Sequence, residues 1–416
     1  MKFIHLGDLH LGKTVNEFRM IDDQACILEQ ILQCVKDRDV DAVLIAGDVY
    51  DKSIPSEEAV RLLDSFLAKL AEMGKTVIMI SGNHDSDDRL QFGSRLFAAR
   101  NVFITGRYEG EVPEVVLEDA FGKVHFWMLP FVKASLVAHY HPDEKVDSYD
   151  TAIRLALADA NLDRSERNVI LSHQFVTGAS PRGAAPDSAQ AGPDHADAGG
   201  DSAQAASGHA DSNGDPVMAG SELVRPEMVG TIEKVGSDVY DLFDYAALGH
   251  IHSPQKVGRP QVRYSGSPLS YSLSEIGHEK TFPLVTMGPK SQVDIELIPL
   301  VPKRRMRHLK GPLAQLLDPA RITDQEDYIY VTLTDEQPIP DAIGRVRTYY
   351  PNVMKLDYDN SHTKALQQVT FTGITAGRSY RELIRDFYNL MNGGEPSEEE
   401  MQILDEAAGK AGVIEV

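Results

Sequence analysis

Five short segments of this 416-residue chain end a strand-like apolar run and then present metal-ligand side chains at once. They are Leu6-Gly7-Asp8-Leu9-His10, Ala46-Gly47-Asp48-Val49-Tyr50-Asp51, Ser81-Gly82-Asn83-His84-Asp85, Leu171-Ser172-His173 and Leu248-Gly249-His250-Ile251-His252. Carboxylate, imidazole and amide together, with no cysteine, suit Mn²⁺, Fe or Zn²⁺ better than a structural zinc site. Seven candidate ligands (Asp8, His10, Asp48, Asn83, His173, His250 and His252) are too many for one ion. They match two divalent metal ions that share a bridging carboxylate. Two ions roughly 3.5–4 Å apart clamp a phosphate and generate hydroxide for in-line attack. Taken singly, Asp-x-His after a strand is usually incidental, Asn-His-Asp is an ordinary turn, and His-x-His is common on solvated strands. All five together, each at a strand end, predict a metal site.

The elements that must position these residues can be read from the pattern of apolar side chains. Phe3–Leu6, Ala42–Ala46 and Thr76–Ile80 read as buried strands, and Glu17–Arg38 and Ser56–Met73 have helical periodicity. Further strands are expected at Val124–Leu129, Asn168–Leu171, Tyr245–Leu248, Val262–Tyr264, Phe282–Met287 and Asp294–Leu300. Such alternation predicts an α/β domain with at least one largely parallel sheet, whose strand carboxyl ends are where active sites collect. The glycines of the five segments let a strand turn sharply and bring backbone close to an ion. A small α/β unit follows, with strands Asp327–Leu333 and Val353–Tyr358 around a helix at Ile339–Tyr349. From Ser379 the tail is acidic, with Leu383, Ile384, Phe387, Leu390 and Met391 at helical spacing. The stretch from about Ala179 to Gly220 is Ala, Asp, Gly, Ser and Pro with almost no large apolar side chain, and is expected to be a flexible insertion.

The remaining histidines are expected to do other things. His5, inside the first strand, reads as a core residue or one supporting the ligands. His139 and His141, followed by Pro142, read as a surface turn, and His195 and His209 fall in the insertion. Lys13 and Arg89, just past two ligand loops, could each reach a backbone phosphate or be surface charges.

Composition narrows the class. At 42% hydrophobic and 25% charged residues, the chain is ordinary globular material. Its apolar runs fall far short of the roughly 20 residues that span a membrane. The N-terminus shows no signal-peptide pattern. Cys26 and Cys34 lie about two helical turns apart, too far for a disulfide within a helix, and read as reduced core cysteines of a cytoplasmic protein. A net charge of −22 argues against a tight grip on DNA by this chain alone, because non-specific DNA affinity comes mainly from Lys and Arg on phosphates. Bound cations supply positive charge where the phosphate sits, so the charge does not argue against cutting DNA.

The five segments resemble the signature of the calcineurin-like metallophosphoesterases: D-x-H, G-D-x-x-D, G-N-H-D/E, a strand-end His and G-H-x-H. The resemblance implies a four-layer α/β sandwich of two mixed sheets flanked by helices, spanning about residues 1–300. It would assign Asp8, His10, Asp48 and His252 to one ion, and Asp48, Asn83, His173 and His250 to the other. His84 would lie over the phosphate and protonate the leaving oxygen. Asp51 would hold the His84 imidazole through a hydrogen bond, or be a turn carboxylate.

The opening Met1–Lys13, the segments Ile45–Asp51 and Ile80–Ser86, and the serine-rich Tyr264–Ser272 are more specifically similar to the SbcD-type nucleases of bacterial SbcCD complexes. The serine-rich segment is not required by the metal chemistry, which makes it a useful family mark. That resemblance implies 3′–5′ exonuclease and endonuclease action on DNA ends and hairpins, Mn²⁺ as the ion, and a role in DNA repair and recombination. It also implies a homodimer, an SMC-like ATPase partner of the SbcC type, a capping domain at about 301–372, and a helical tail at 373–416 that docks on the ATPase. The competing readings are a phosphatase or phosphodiesterase acting on another substrate, and a scaffold that has lost activity; no ligand is missing to support the latter.

Overall fold

The structure is a computed structural model and describes residues 1–158, 160–178, 234–361 and 395–410, together with 363, 381, 384, 385 and 388. The low-complexity segment and most of the tail's apolar positions lie outside the described residues. Two compact units are present, Met1–Met306 and Arg307–Val416.

In the first unit the strands are β1 (Lys2–Leu6), β2 (Ala42–Ala46), β3 (Thr76–Ile80), β4 (Val102–Thr105), β5 (Glu114–Asp119), β6 (Gly122–Leu129), β7 (Arg167–His173), β8 (Tyr245–Gly249), β9 (Gln255–Val257), β10 (Arg259–Tyr264), β11 (Thr281–Met287) and β12 (Val293–Pro299). The longer helices are α1 (Ile21–Asp37), α2 (Glu57–Glu72), α3 (Ala134–Tyr140) and α4 (Tyr149–Ala158). Two six-stranded mixed sheets result, ordered β12-β11-β1-β2-β3-β4 and β9-β10-β8-β7-β6-β5. Strands β1 to β4 run parallel, as do β6, β7, β8 and β10, and antiparallel strands close every edge except the one at β4. The parallel strands of the middle are apolar on both faces, as strands covered on both sides must be.

The sheets pack face to face. Phe3, Leu44 and Ile78 of one meet Phe126, Val169, Leu171 and Tyr245 of the other, with the Phe3 ring edge-on to Phe126 and Tyr245 at 5.6 Å. Beyond the second sheet, Val137 of α3 and Ile153 and Leu157 of α4 cover Trp127, Leu129, Ile170 and Leu248. Helices α1 and α2 pack on each other, α2 lies against β3, and each buries one apolar stripe. The layers are therefore helix, sheet, sheet, helix. Among the described residues, no helix is long and apolar enough to cross a membrane.

In the second unit, β13 (Met306–Gly311), β14 (Tyr328–Leu333) and β15 (Val353–Tyr358) form a three-stranded sheet. Helix α5 (Ala342–Arg347) contributes Val346 to a core with Ile329, Val331, Leu333, Tyr350 and Val353. Helix α6 (Glu398–Lys410) opens with three glutamates, which suit the positive end of a helix dipole.

Several boundaries differ from the sequence reading. The first helix starts at Ile21 rather than Glu17, because Thr14–Val15 and Phe18–Arg19 pair as a hairpin turned by Asn16 and Glu17 at φ +45° and +72°. The helix expected at Ile339–Tyr349 is confined to Ala342–Arg347, since Pro338, Pro340 and a left-handed Asp341 precede it. His139 lies in the last turn of α3 instead of a surface turn, its ring edge-on to Tyr140, and His141 caps that helix. Cys26 and Cys34 are unpaired but half-buried on α1, so they sit at the margin of the core.

Candidate metal centre

All five ligand segments leave the same edge of the paired sheets. β1, β2 and β3 deliver Asp8, His10, Asp48 and Asn83 beyond their carboxyl ends; β7 and β8 deliver His173, His250 and His252. The chain turns hard at these points. Asp8, His10, Asp48 and His250 take φ values of +52°, +43°, +48° and +103°, a region that non-glycine residues rarely occupy. Two glycines make the approach possible. A Cβ on Gly82 would lie 2.1 Å from Asp48 Oδ1, and one on Gly249 would lie 1.9 Å from the Ala46 carbonyl oxygen and 2.6 Å from His173 Nδ1.

Asp48 lies at the middle of the cluster. Its Oδ2 is 3.4 Å from His173 Nε2 and 3.5 Å from His10 Nε2, while its Oδ1 accepts the His84 N–H at 2.9 Å. On one side, His10 Nε2 and His252 Nε2 stand 3.1 Å apart, and Asp8 accepts the His250 N–H. On the other, Asn83 Oδ1 lies 3.1 Å from His173 Nε2 and 3.0 Å from His250 Nδ1. The ligand atoms form the groups Asp8–His10–His252 and Asp8–Asp48–His173, with a third at His10–Asp51–His84. Asp8, His10, Asp48, His173 and His252 are buried, whereas Asn83 and His84 are exposed, so the cluster opens to solvent on their side.

The donor set fits divalent cations. His173 Nδ1–H donates to the Ala46 carbonyl at 2.7 Å, which leaves Nε2 as a lone pair. That lone pair faces two further acceptors, Asn83 Oδ1 and Asp48 Oδ2, an arrangement that repels unless a positive species lies among them. The same carboxylates also draw a proton to Nε2, which would compete with a cation there. Burial disfavours an ionised His173, yet Asp48 and Asp8 outweigh it and raise its pKa to about 9. Burial would likewise push Asp48 up, but the imidazoles of His173, His10 and His84 hold it well below the usual carboxylate range. His250 is lowered to about 3 by burial and by His173, and burial dominates the lowering at His10. Burial raises Asp8.

The surroundings differ from expectation at Asp51 and Lys13. His84 Nδ1–H donates to the Asp51 backbone carbonyl at 3.0 Å, not to its carboxylate. The carboxylate instead takes Lys13 Nζ at 2.7 Å, so Lys13 is engaged on the protein. His5 is a core residue, its Nδ1 on the Tyr245 hydroxyl at 3.0 Å. Arg89 is exposed on a short helix, Asp87–Gln91.

Asp85, which closes the third segment, and several residues that went unread in the sequence support the ligands. Asp85 accepts three backbone N–H groups, from Val49, Tyr50 and Gly82, and so ties the second ligand loop to the third. Burial, with help from Asp48, lifts its carboxyl to about 7 against those donors. Gln24 donates to the carbonyls of Leu9 and His10, and the Tyr271 hydroxyl bonds the Leu9 carbonyl while its ring stands edge-on to His10 and His252. The serine-rich segment, which the metal chemistry by itself does not require, therefore backs two of the candidate ligands. Its only sequence signal was the family mark itself.

A four-layer sandwich of two mixed sheets with this ligand set at its strand ends defines a metallophosphoesterase. The chain belongs to the calcineurin-like phosphoesterase family, whose model matches residues 1–254. A second model, described as a type 5 capsule protein repressor C-terminal domain, matches residues 302–392. A curated relative from Staphylococcus epidermidis, the SbcD subunit of nuclease SbcCD, is 29% identical over 360 residues, covering 86% of this chain and 85% of the relative. Among solved structures, a dimetal phosphatase from Danio rerio is 13% identical with a TM-score of 0.38, over 73% of this chain and 97% of that one. GAP50, the anchor in the inner membrane complex of Plasmodium, is also 13% identical, with a TM-score of 0.35 over 87% and 98%.

Proposed function

We propose that this chain is a Mn²⁺-dependent DNA nuclease, cutting phosphodiesters at DNA ends and hairpins as the SbcD-type subunit of an ATP-driven SbcCD complex. The observation that carries the reading is Asp48 Oδ2, nearly equidistant from His10 and His173 as a bridging ligand between two ions would be. Asp8, His10, Asp48 and His252 would hold one ion; Asp48, Asn83, His173 and His250 would hold the other. When bound, two such ions supply positive charge for the phosphate and acidify water enough for it to attack phosphorus.

The chain's own residues account for the rest. Committing His84 Nδ1–H to the Asp51 carbonyl leaves Nε2 to carry the proton that the leaving oxygen needs. Lys13 neutralises the Asp51 carboxylate, which fixes the loop without placing a loose anion beside the incoming phosphate. The Asp48 carboxylate on the His84 backbone N–H locks the loop that carries this acid to the metal-bridging residue. The buried side of the cluster excludes water, and the exposed Asn83 and His84 mark the substrate's side.

DNA as substrate is supported by the nuclease relative that spans most of the chain. A net charge of −22 assigns most of the DNA grip to a partner, and an SMC-like ATPase of the SbcC type fits that need. The second unit up to about residue 372 would be the capping domain, and the acidic tail at 373–416 the docking segment. A homodimer belongs to the same proposal, supported by Phe92, Leu96 and Phe97, three exposed large apolar side chains within six residues. Light scattering should give twice the protomer mass for the native chain and a monomer for Leu96→Glu; a native monomer would remove the dimer from the account.

The substrate test offers purified protein with Mn²⁺ a hairpin DNA, a linear single strand and a phosphomonoester. Cleavage of the DNAs is expected. Turnover of the phosphomonoester with no action on DNA would replace the nuclease reading by a phosphatase.

A further inference from the structure

The buried charges of Glu275 and Lys280 take no part in the chemistry above. Glu275 is fully buried and Lys280 is 7% exposed, and they pair at 2.5 Å between Lys280 Nζ and Glu275 Oε2. A buried ion pair is a poor source of stability, since desolvating both charges offsets their attraction. Its contacts point to another use. Lys280 Nζ also donates to the His252 carbonyl at 3.1 Å and to Ser267 Oγ at 3.0 Å. The other carboxylate oxygen, Oε1, accepts from the Tyr271 N–H at 3.3 Å and Ser272 Oγ at 3.1 Å, and faces His252 Nδ1 at 3.7 Å. One ion pair thus holds the backbone of His252 and sets a carboxylate beside its ring. The neighbouring Tyr271 ring stands edge-on to the same imidazole.

We infer that Glu275, braced by Lys280, is a positioning residue for His252 and selectively sets the affinity of one of the two metal positions. The inference rests on the two-ion reading above. The carboxylate favours the proton on His252 Nδ1, which leaves Nε2 as the lone pair. That atom is the one aimed into the cluster, 3.1 Å from His10 Nε2. A carboxylate behind a ligating histidine fixes its tautomer and its orientation and raises its basicity. Without Glu275 the imidazole can turn or take the other tautomer. The ion shared by Asp8, His10 and His252 would then be held more weakly. Asn83, His173 and His250 lie on the other side of Asp48 and should keep their ion.

The test titrates full-length protein with Mn²⁺ alone by calorimetry, comparing the native chain, Glu275→Gln, and Glu275→Gln combined with Lys280→Met. The double variant removes both charges, so no unpaired buried charge is left to unfold it. Two binding events are expected in the native chain. In both variants one event should weaken by about 10- to 100-fold while the other keeps its affinity. Nitrogen-resolved NMR of the histidine rings should show His252 losing its fixed Nδ1–H form, a change that a merely structural role would not produce. Two unchanged events in the double variant, with His252 still Nδ1-protonated, would overturn the inference and leave the two-ion reading standing. Fewer than two events in the native chain would overturn both.

Discussion

His84 is the residue on which chemistry and geometry meet most narrowly. Its Nδ1 is committed to the Asp51 carbonyl and its backbone N–H to Asp48, so the imidazole is held from both ends without being a metal ligand in the assignment above. Replacing it with alanine should lower the DNA cleavage rate by about 10²- to 10⁴-fold, the range for a lost general acid, with Mn²⁺ stoichiometry unchanged. Single-turnover cleavage beside a metal titration checks both halves, and loss of metal together with activity would move His84 into the ligand set. At this scale the sequence was informative where ligand type and spacing coincide. Asp8, His10, Asp48, Asn83, His173, His250 and His252 were picked out as candidate ligands, and the fold brings them to one edge of the paired sheets. It was uninformative where a residue acts through distant backbone. The Asp51 interaction was expected through its carboxylate and runs through its carbonyl. Gln24, Glu275 and Lys280 reach the cluster across large separations, with no spacing pattern to mark them.

Elements were legible in proportion to how fully they are buried. β2, β3 and β8 are continuous apolar runs, β1 is interrupted by the buried His5, and their observed limits match the reading within a residue. β4, β5, β9 and β13 were not read. β5 lies at a sheet edge with exposed positions alternating along it, so its apolar signal is diluted. That edge carries a testable cross-link. His125 on β6 bonds Glu114 of β5 through Nδ1 at 2.8 Å and Glu166, just before β7, through Nε2. Burial opposes a charge on His125, but the two glutamates prevail and raise its pKa above the usual histidine value. A histidine raised on folding contributes stability that is complete below about pH 6.5 and lost as pH rises through its folded value. The gain is about 1 kcal/mol or less, because both glutamates are partly exposed to solvent. Melting temperatures should therefore favour the native chain over His125→Gln at pH 6, and the gap should narrow towards pH 9. A gap that widens with pH would mean that the imidazole is bound neutral.

For the whole molecule, charge was the most useful global property of the sequence. A surplus of 22 negative charges cannot grip a polyanion through released counterions, so the isolated chain should bind duplex DNA weakly and tighten on adding the ATPase. Fluorescence anisotropy at physiological salt tests this, and tight binding by the chain alone would contradict the division of labour. The α/β patterning returns after Leu300 and the chain divides into two compact units, while the roles expected for the later parts came from family resemblance rather than periodicity. The central claim is two ions bridged by Asp48. Anomalous diffraction from crystals grown with Mn²⁺ tests it most directly. Two peaks about 3.5–4 Å apart, both in contact with the Asp48 carboxylate, are predicted. A single peak, or two peaks of which only one touches Asp48, would contradict it.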